Sequence, residues 1–254
     1  MRNDQPPIDP DSKKTIVKSA QKPTPCSVEK VSSCACDLIN REEVGSIYNY
    51  RMAFRNSGLI FIEVPKCLST SIKVSMFMRE YNLPQWAANI LTDSAKRDVL
   101  YPRSIVTPAD LVDPKLVKFA FIRNPWARMA SAYGNVGGSR HVADQYSFEA
   151  LIESLPERHA TPVADQENAH FKPASYFLPR DAAGQCRVDI LGRVETCQRD
   201  WRHITDTVRI LPFDLPHYNP ADVPTDYRSV YTARTRNIVG DLFAEDIQLG
   251  NYDF

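Results

Sequence analysis

Residues 59–77 read LIFIEVPKCLSTSIKVSMF, and the way this stretch breaks in its middle decides the fold. Leu59 to Val64 sets five apolar residues in six between Gly58 and Pro65, the pattern of a buried strand. Beyond Pro65-Lys66 and the hydroxyl residues Ser69, Thr70 and Ser71, apolar side chains return at helical spacing (Ile72, Met76, Phe77, Tyr81), so Ser69 to Tyr81 is expected to be a helix. The opening turn of a helix leaves backbone N–H groups without intrahelical acceptors, here those of Leu68 to Ser71, and an anion accepts from several at once. Lys66 adds a positive charge on one flank, and the three hydroxyls add donors. A plain capped helix with a solvated lysine beside it would carry the same residues, so the stretch alone leaves both readings open.

Working outward, Leu116 to Ile122 (LVKFAFI) repeats the logic as a second strand, followed by a helix from Trp126 to Tyr133 entered through Asn124-Pro125. Further elements are expected at VDILGRVE (Val188 to Glu195, a strand), at Cys197 to Thr205 (a helix) and at TVRILPF (a strand). A last helix buries Ile238, Val239, Leu242 and Phe243. Arg41 to Phe54, with Val44, Ile47, Tyr48 and Phe54, reads as a short helix. Strands alternating with helices imply an α/β three-layer sandwich around a mainly parallel sheet. Ligands of such sheets bind beyond the carboxyl ends of strands, where both turns lie.

Composition bounds the function. The 254 residues suffice for one substantial core; 1–40, with five prolines among polar residues, read as a loosely ordered arm, leaving 41–254 as the domain. Lys plus Arg and Asp plus Glu are 31 each, so no global field draws in nucleic acid and any anion site is local. No apolar run is long enough for a membrane span, and the first residues lack a secretory core, which favours a cytoplasmic home, or a Golgi lumenal one had an anchor been removed. The six cysteines form no disulfide framework, and Cys26, Cys34 and Cys36 lack further ligands at metal-binding spacing, so no metal is expected.

In FAFIRNPWARMASAY, Arg123 closes the second strand and Ser131 follows eight residues later, two turns along the helix. Together with VPKCLSTS, this segment resembles the two signature motifs of sulfotransferases that use 3′-phosphoadenosine 5′-phosphosulfate, in the form found in Golgi-type carbohydrate sulfotransferases and their bacterial relatives. HFKPAS, VDILGRVE, LPHYNP and DIQLGNYDF extend the likeness from about Arg51 to Phe254.

The resemblance implies a P-loop-like sulfotransferase fold and a division of labour. Lys66, Leu68, Ser69, Thr70 and Ser71 would grip the 5′-phosphosulfate, with Lys66 near the oxygen that bridges phosphorus and sulfur. Arg123 and Ser131 would bind the 3′-phosphate. An acceptor hydroxyl, on a glycan or small molecule, would attack sulfur without any metal. His170 in HFKPAS is the candidate base, with Glu167, Asp165 and His141 as substitutes. His217 is expected to organise its loop near the cofactor; Arg234 and Arg236 either reach the nucleotide or lie on a solvated helix face, Glu195 pairs with Arg193 or Arg199 in a structural role, and Trp126 and Trp201 belong to core or rim.

One departure stands out. The family that the chain resembles usually has Gly where this chain has Leu68, and a left-handed conformation costs a leucine about 1–2 kcal/mol. Either φ stays negative at Leu68 or the cradle is looser, and the second case would give a nucleotide-binding protein with weak or no catalysis. A kinase-like phosphotransferase is the other alternative; the Walker pattern it needs is missing, since no Gly lies between Gly58 and Gly134.

Overall fold

A strand as apolar as LIFI must pair along both edges, because its backbone donors and acceptors have no water to turn to. The computed structural model describes residues 50–134, 146–160, 166–211, 213–216, 218 and 226–254. Its sheet runs in the order β1 (Arg51–Phe54), β2 (Leu59–Ile62), β3 (Val117–Ile122) and β4 (Ile190–Arg193). β2, β3 and β4 are parallel to one another, and β1 is antiparallel to β2. The principal helices are α1 (Ser69–Glu80), α2 (Pro125–Gly134), α3 (Phe148–Ala160), α4 (Ala174–Phe177), α5 (Cys197–Thr207), α6 (Ala233–Leu242) and α7 (Ala244–Gly250). Three further short helices (Ala87–Leu91, Ser94–Asp98, Pro108–Val112) lie between α1 and β3.

Two expectations are corrected. Arg51 to Phe54 is a strand, not the end of a helix: it forms a hairpin with β2 through a turn closed by Gly58 at φ 70°. Arg51, Met52 and Ala53 are good helix formers, but the unpaired edge of β2 overrides that propensity and decides their conformation. β1 is covered in turn, by a hydrogen bond from Ala53 N–H to Ser104 O at 2.8 Å and a bridge between Met52 and Ile105. TVRILPF forms no strand among the described residues. It terminates α5 instead, with Arg209 left-handed at φ 57° and the N–H groups of Arg209 and Ile210 donating to Asp206 O and Thr205 O at 3.1 Å each. That paired closure of a helix end satisfies the last carbonyls and stops chain extension.

β2 and β3 bury Leu59 to Ile62 and Phe119 to Ile122, and Phe61 stacks on Phe119 at 5.2 Å. α5 packs its amphipathic face against this core through Trp201, 1 % exposed and 5.9 Å from the ring of Phe119. Gly192 in β4 is fixed by the same packing: a Cβ there would lie 2.7 Å from the Phe121 ring. A second apolar cluster joins α2, α3 and α6 through Met129, Phe148, Leu151, Ile152 and Val239, with Phe171 and Phe243 completing it. Trp126 is also buried, so Trp126 and Trp201 both belong to the core, whereas Trp86 is exposed. The arm at 1–40, Cys26, Cys34, Cys36 and residues 41–49 lie outside the described residues, and with them the boundary expected at residue 41. No described helix is long and apolar enough to cross a membrane.

Candidate functional site

The site begins where β2 ends. Lys66 and Leu68 both have positive φ, 67° and 63°, and Cys67 between them does not. Residues of alternating hand turn successive N–H groups toward one concave side, the geometry of an anion-binding nest. Leu68 is left-handed, so the alternative of a negative φ at this position is ruled out. The loop is tied from within: Val64 O accepts from Cys67 N–H at 3.2 Å and from Ser69 Oγ at 3.0 Å. α1 then starts with Leu68 in the N-cap position and no side chain capping it. Ser71 is buried, and its Oγ accepts from the N–H of Tyr218 at 3.1 Å, which ties Tyr218 to the first turn. Below the loop, Lys73 donates to Glu63 Oε1 at 2.6 Å and to Tyr101 Oη at 3.0 Å, fixing α1 to the strand end. Cys67 is fully buried, which pushes its thiol up to about 12 and leaves it no nucleophilic character.

The second turn starts where β3 ends. Asn124 caps α2: its Oδ1 accepts from Trp126 N–H and Ala127 N–H at 3.1 and 3.3 Å, and Pro125 takes the first helical position. Asn124 N–H donates to Glu195 Oε1 at 2.7 Å and its Nδ2 to Asp253 O at 2.7 Å. The parallel pairing of β2 with β3 brings the two strand ends, and with them the segments carrying Lys66 and Arg123, to the same end of the sheet. Burial, and after it the charge of Arg123, lowers Lys66 to about 8. Ser131 is 2 % exposed in α2.

His170 reaches this region through a residue to which the sequence reading gave no role. Arg128, 0 % exposed, points one Nη1 at both Pro65 O and His170 O, 3.4 Å from each, and its Nη2 donates to Lys172 O. One guanidinium thus joins the residue before Lys66 to the HFKPAS segment. Burial holds Arg128 below the usual arginine range. From the other side, Asp246 of α7 accepts from the N–H groups of Ala174 and Ser175 at 2.6 and 2.8 Å. Lys172 Nζ donates to Arg158 O and His159 O, and the His159 ring donates to Phe171 O at 2.8 Å. The segment carrying His170 is therefore clamped at several points.

Beyond the ends of β3 and β4 lies a cleft of about 460 Å³, lined by Arg123, Asn124, Arg193, Glu195, Tyr227 and Arg228 among others. Lys66, Ser131 and His170 are not among its lining residues. Glu195 is spent on structure, accepting from Asn124 N–H and from Tyr252 Oη at 3.1 Å, rather than pairing with Arg199, which bonds Asp200. Arg234 pairs with Glu153 on the surface, and Arg236 sits over the Phe254 ring at 4.5 Å. His141, Asp165 and His217 lie outside the described residues, as does the side chain of Glu167.

Sequence reading missed Arg128, Arg193 and Arg228. Arg128 had a signal, a lone arginine within the apolar helix WARMASAY, whereas Arg193 and Arg228 are brought to Arg123 only by the tertiary fold. Among the described residues no group of three or more His, Cys, Asp or Glu could hold a metal ion. In comparisons with known proteins, a model described as "Sulfotransferase family" matches residues 49–253. No curated protein and no solved structure gives a match.

Proposed function

The chain belongs to the sulfotransferase family, and on that premise we propose that it transfers a sulfuryl group from 3′-phosphoadenosine 5′-phosphosulfate to a hydroxyl of a carbohydrate or related acceptor. The observation that carries this reading is the approach of two cations at the ends of adjacent parallel strands: Arg123 is close enough to Lys66 to lower its pKa. Like charges brought together at the mouth of a sheet are stabilised by a ligand bearing negative charge at two points. A donor with a 5′-phosphosulfate and a 3′-phosphate has that form.

In the reaction, the acceptor oxygen attacks sulfur in line and the bond from sulfur to the bridging oxygen breaks. The acceptor proton passes to His170, and adenosine 3′,5′-bisphosphate leaves. Lys66 stabilises the charge that develops on the leaving oxygen, and the N–H groups of Leu68 to Ser71 with the hydroxyls of Ser69, Thr70 and Ser71 hold the phosphosulfate. Arg123 and Ser131 hold the 3′-phosphate. No step calls for a metal. Leu68 takes the left-handed backbone that a glycine would adopt without strain, so about 1–2 kcal/mol of strain falls on the loop, and a nucleotide-binding protein with weak catalysis is the alternative reading that this residue supports.

Incubation with sulfur-labelled donor and a panel of hydroxylated glycans tests the reading. The label should move to a glycan hydroxyl as the bisphosphate is released, and Lys66→Ala should abolish transfer. Transfer of phosphate from labelled ATP, with none of sulfur, would favour the phosphotransferase alternative. Full transfer by His170→Ala would remove His170 as the base.

A further inference from the structure

We infer that Arg193 and Arg228, from the end of β4 and the turn before α6, are ligand-binding residues that together with Arg123 give the cleft its preference for a nucleotide carrying a 3′-phosphate. This rests on the donor proposed above and adds two residues to its site.

Three guanidinium groups from separate parts of the chain line one cleft. Arg193 lies 4.6 Å over the Tyr252 ring, and Arg228 lies 4.8 Å over Tyr227 and 5.9 Å over Phe254. Stacking on a ring fixes the plane of a guanidinium, so less side-chain entropy remains to be lost when its N–H fork meets a phosphate. Two carboxylates also line the cleft. Glu195 is occupied by Asn124 N–H and Tyr252 Oη, and stands 4.0 Å from Arg193 Nε, at the outer limit of an ion pair; Asp253 Oδ1 accepts from Phe254 N–H at 2.8 Å. Asp226, outside the lining, stands 3.7 Å from Arg228. Arg193 Nε is buried and makes no hydrogen bond. The side chains of Arg193 and Arg228 are 38 % and 50 % exposed, which leaves their outer nitrogens in reach of a ligand.

The geometry separates two halves of one ligand. The nest at Lys66 to Ser71 belongs to the end of β2, and the arginine cleft to the ends of β3 and β4, with Arg123 between them. A 5′-monophosphate fills only the first half. A second phosphate engages the arginines.

Calorimetric titration of the wild-type chain, Arg193→Gln and Arg228→Gln with adenosine 3′,5′-bisphosphate and with adenosine 5′-phosphate tests this. Each substitution should weaken the bisphosphate by about tenfold or more, the value of one charge-assisted hydrogen bond, and leave the monophosphate within about threefold. Equal weakening of both ligands, or unchanged affinity for the bisphosphate in both variants, overturns the inference while leaving the proposed donor standing. A wild-type chain that binds neither nucleotide overturns the proposed function, and this inference with it. Arg228→Gln, at an exposed position, keeps the test decisive should Arg193→Gln fail to fold; unliganded melting temperatures establish whether it does.

Discussion

Lys66 combines a left-handed backbone, partial burial and a neighbouring cation, each of which costs free energy in the unliganded protein. With its pKa lowered from the ordinary 10.5 to about 8, the folded chain binds fewer protons here than the unfolded chain between those values. Raising the pH through that window therefore stabilises the free protein, whereas an anion that needs the protonated amine binds more weakly. Affinity for adenosine 3′,5′-bisphosphate should fall about tenfold between pH 7 and pH 9, and Lys66→Met should flatten the profile; a titration series reads both. Leu68 supplies a backbone test. Leu68→Gly retains the left-handed conformation and should keep affinity within about threefold, whereas Leu68→Pro, locked near φ −65°, should remove binding while far-ultraviolet dichroism stays the same.

At the scale of elements, the strand-to-helix turns were legible because their signals are local: an apolar run, a break at Pro65 or Asn124-Pro125, and helical spacing after it. β1 was not, since Met52 and Ala53 adopt a strand only because β2 has an edge to fill. Val208 to Ile210 misled for the converse reason, two β-branched residues flanking an arginine whose left-handed turn closes a helix. The Lys66 loop, Arg123 and Ser131 were legible as residues, but Arg128, which spans from Pro65 O to Lys172 O, depends on contacts across the chain. Two packing claims follow. Gly192→Ala should lower stability by about 1–3 kcal/mol, through the clash with Phe121, as measured by denaturant unfolding. Asp246→Ala strands the buried N–H groups of Ala174 and Ser175 and should cost about 1–3 kcal/mol for each; an unchanged unfolding midpoint would contradict the clamp on the His170 segment.

Across the whole molecule the charge is balanced, so recognition rests on where the charges stand. The sheet carries Lys66 and Arg123 to one end, Arg193 and Arg228 extend the positive surface toward β4, and Arg128 fixes the His170 segment against the loop. The central claim is that the turns after β2 and β3 form one site for a doubly phosphorylated nucleotide. Thermal unfolding tests it most directly. At one hundred times its dissociation constant, adenosine 3′,5′-bisphosphate should stabilise the wild-type chain by ~2.7 kcal/mol, roughly 5–10 °C, and the shift should vanish in both Lys66→Ala and Arg123→Ala. A shift with ATP and magnesium but none with the bisphosphate, or a bisphosphate shift that survives both substitutions, would contradict it.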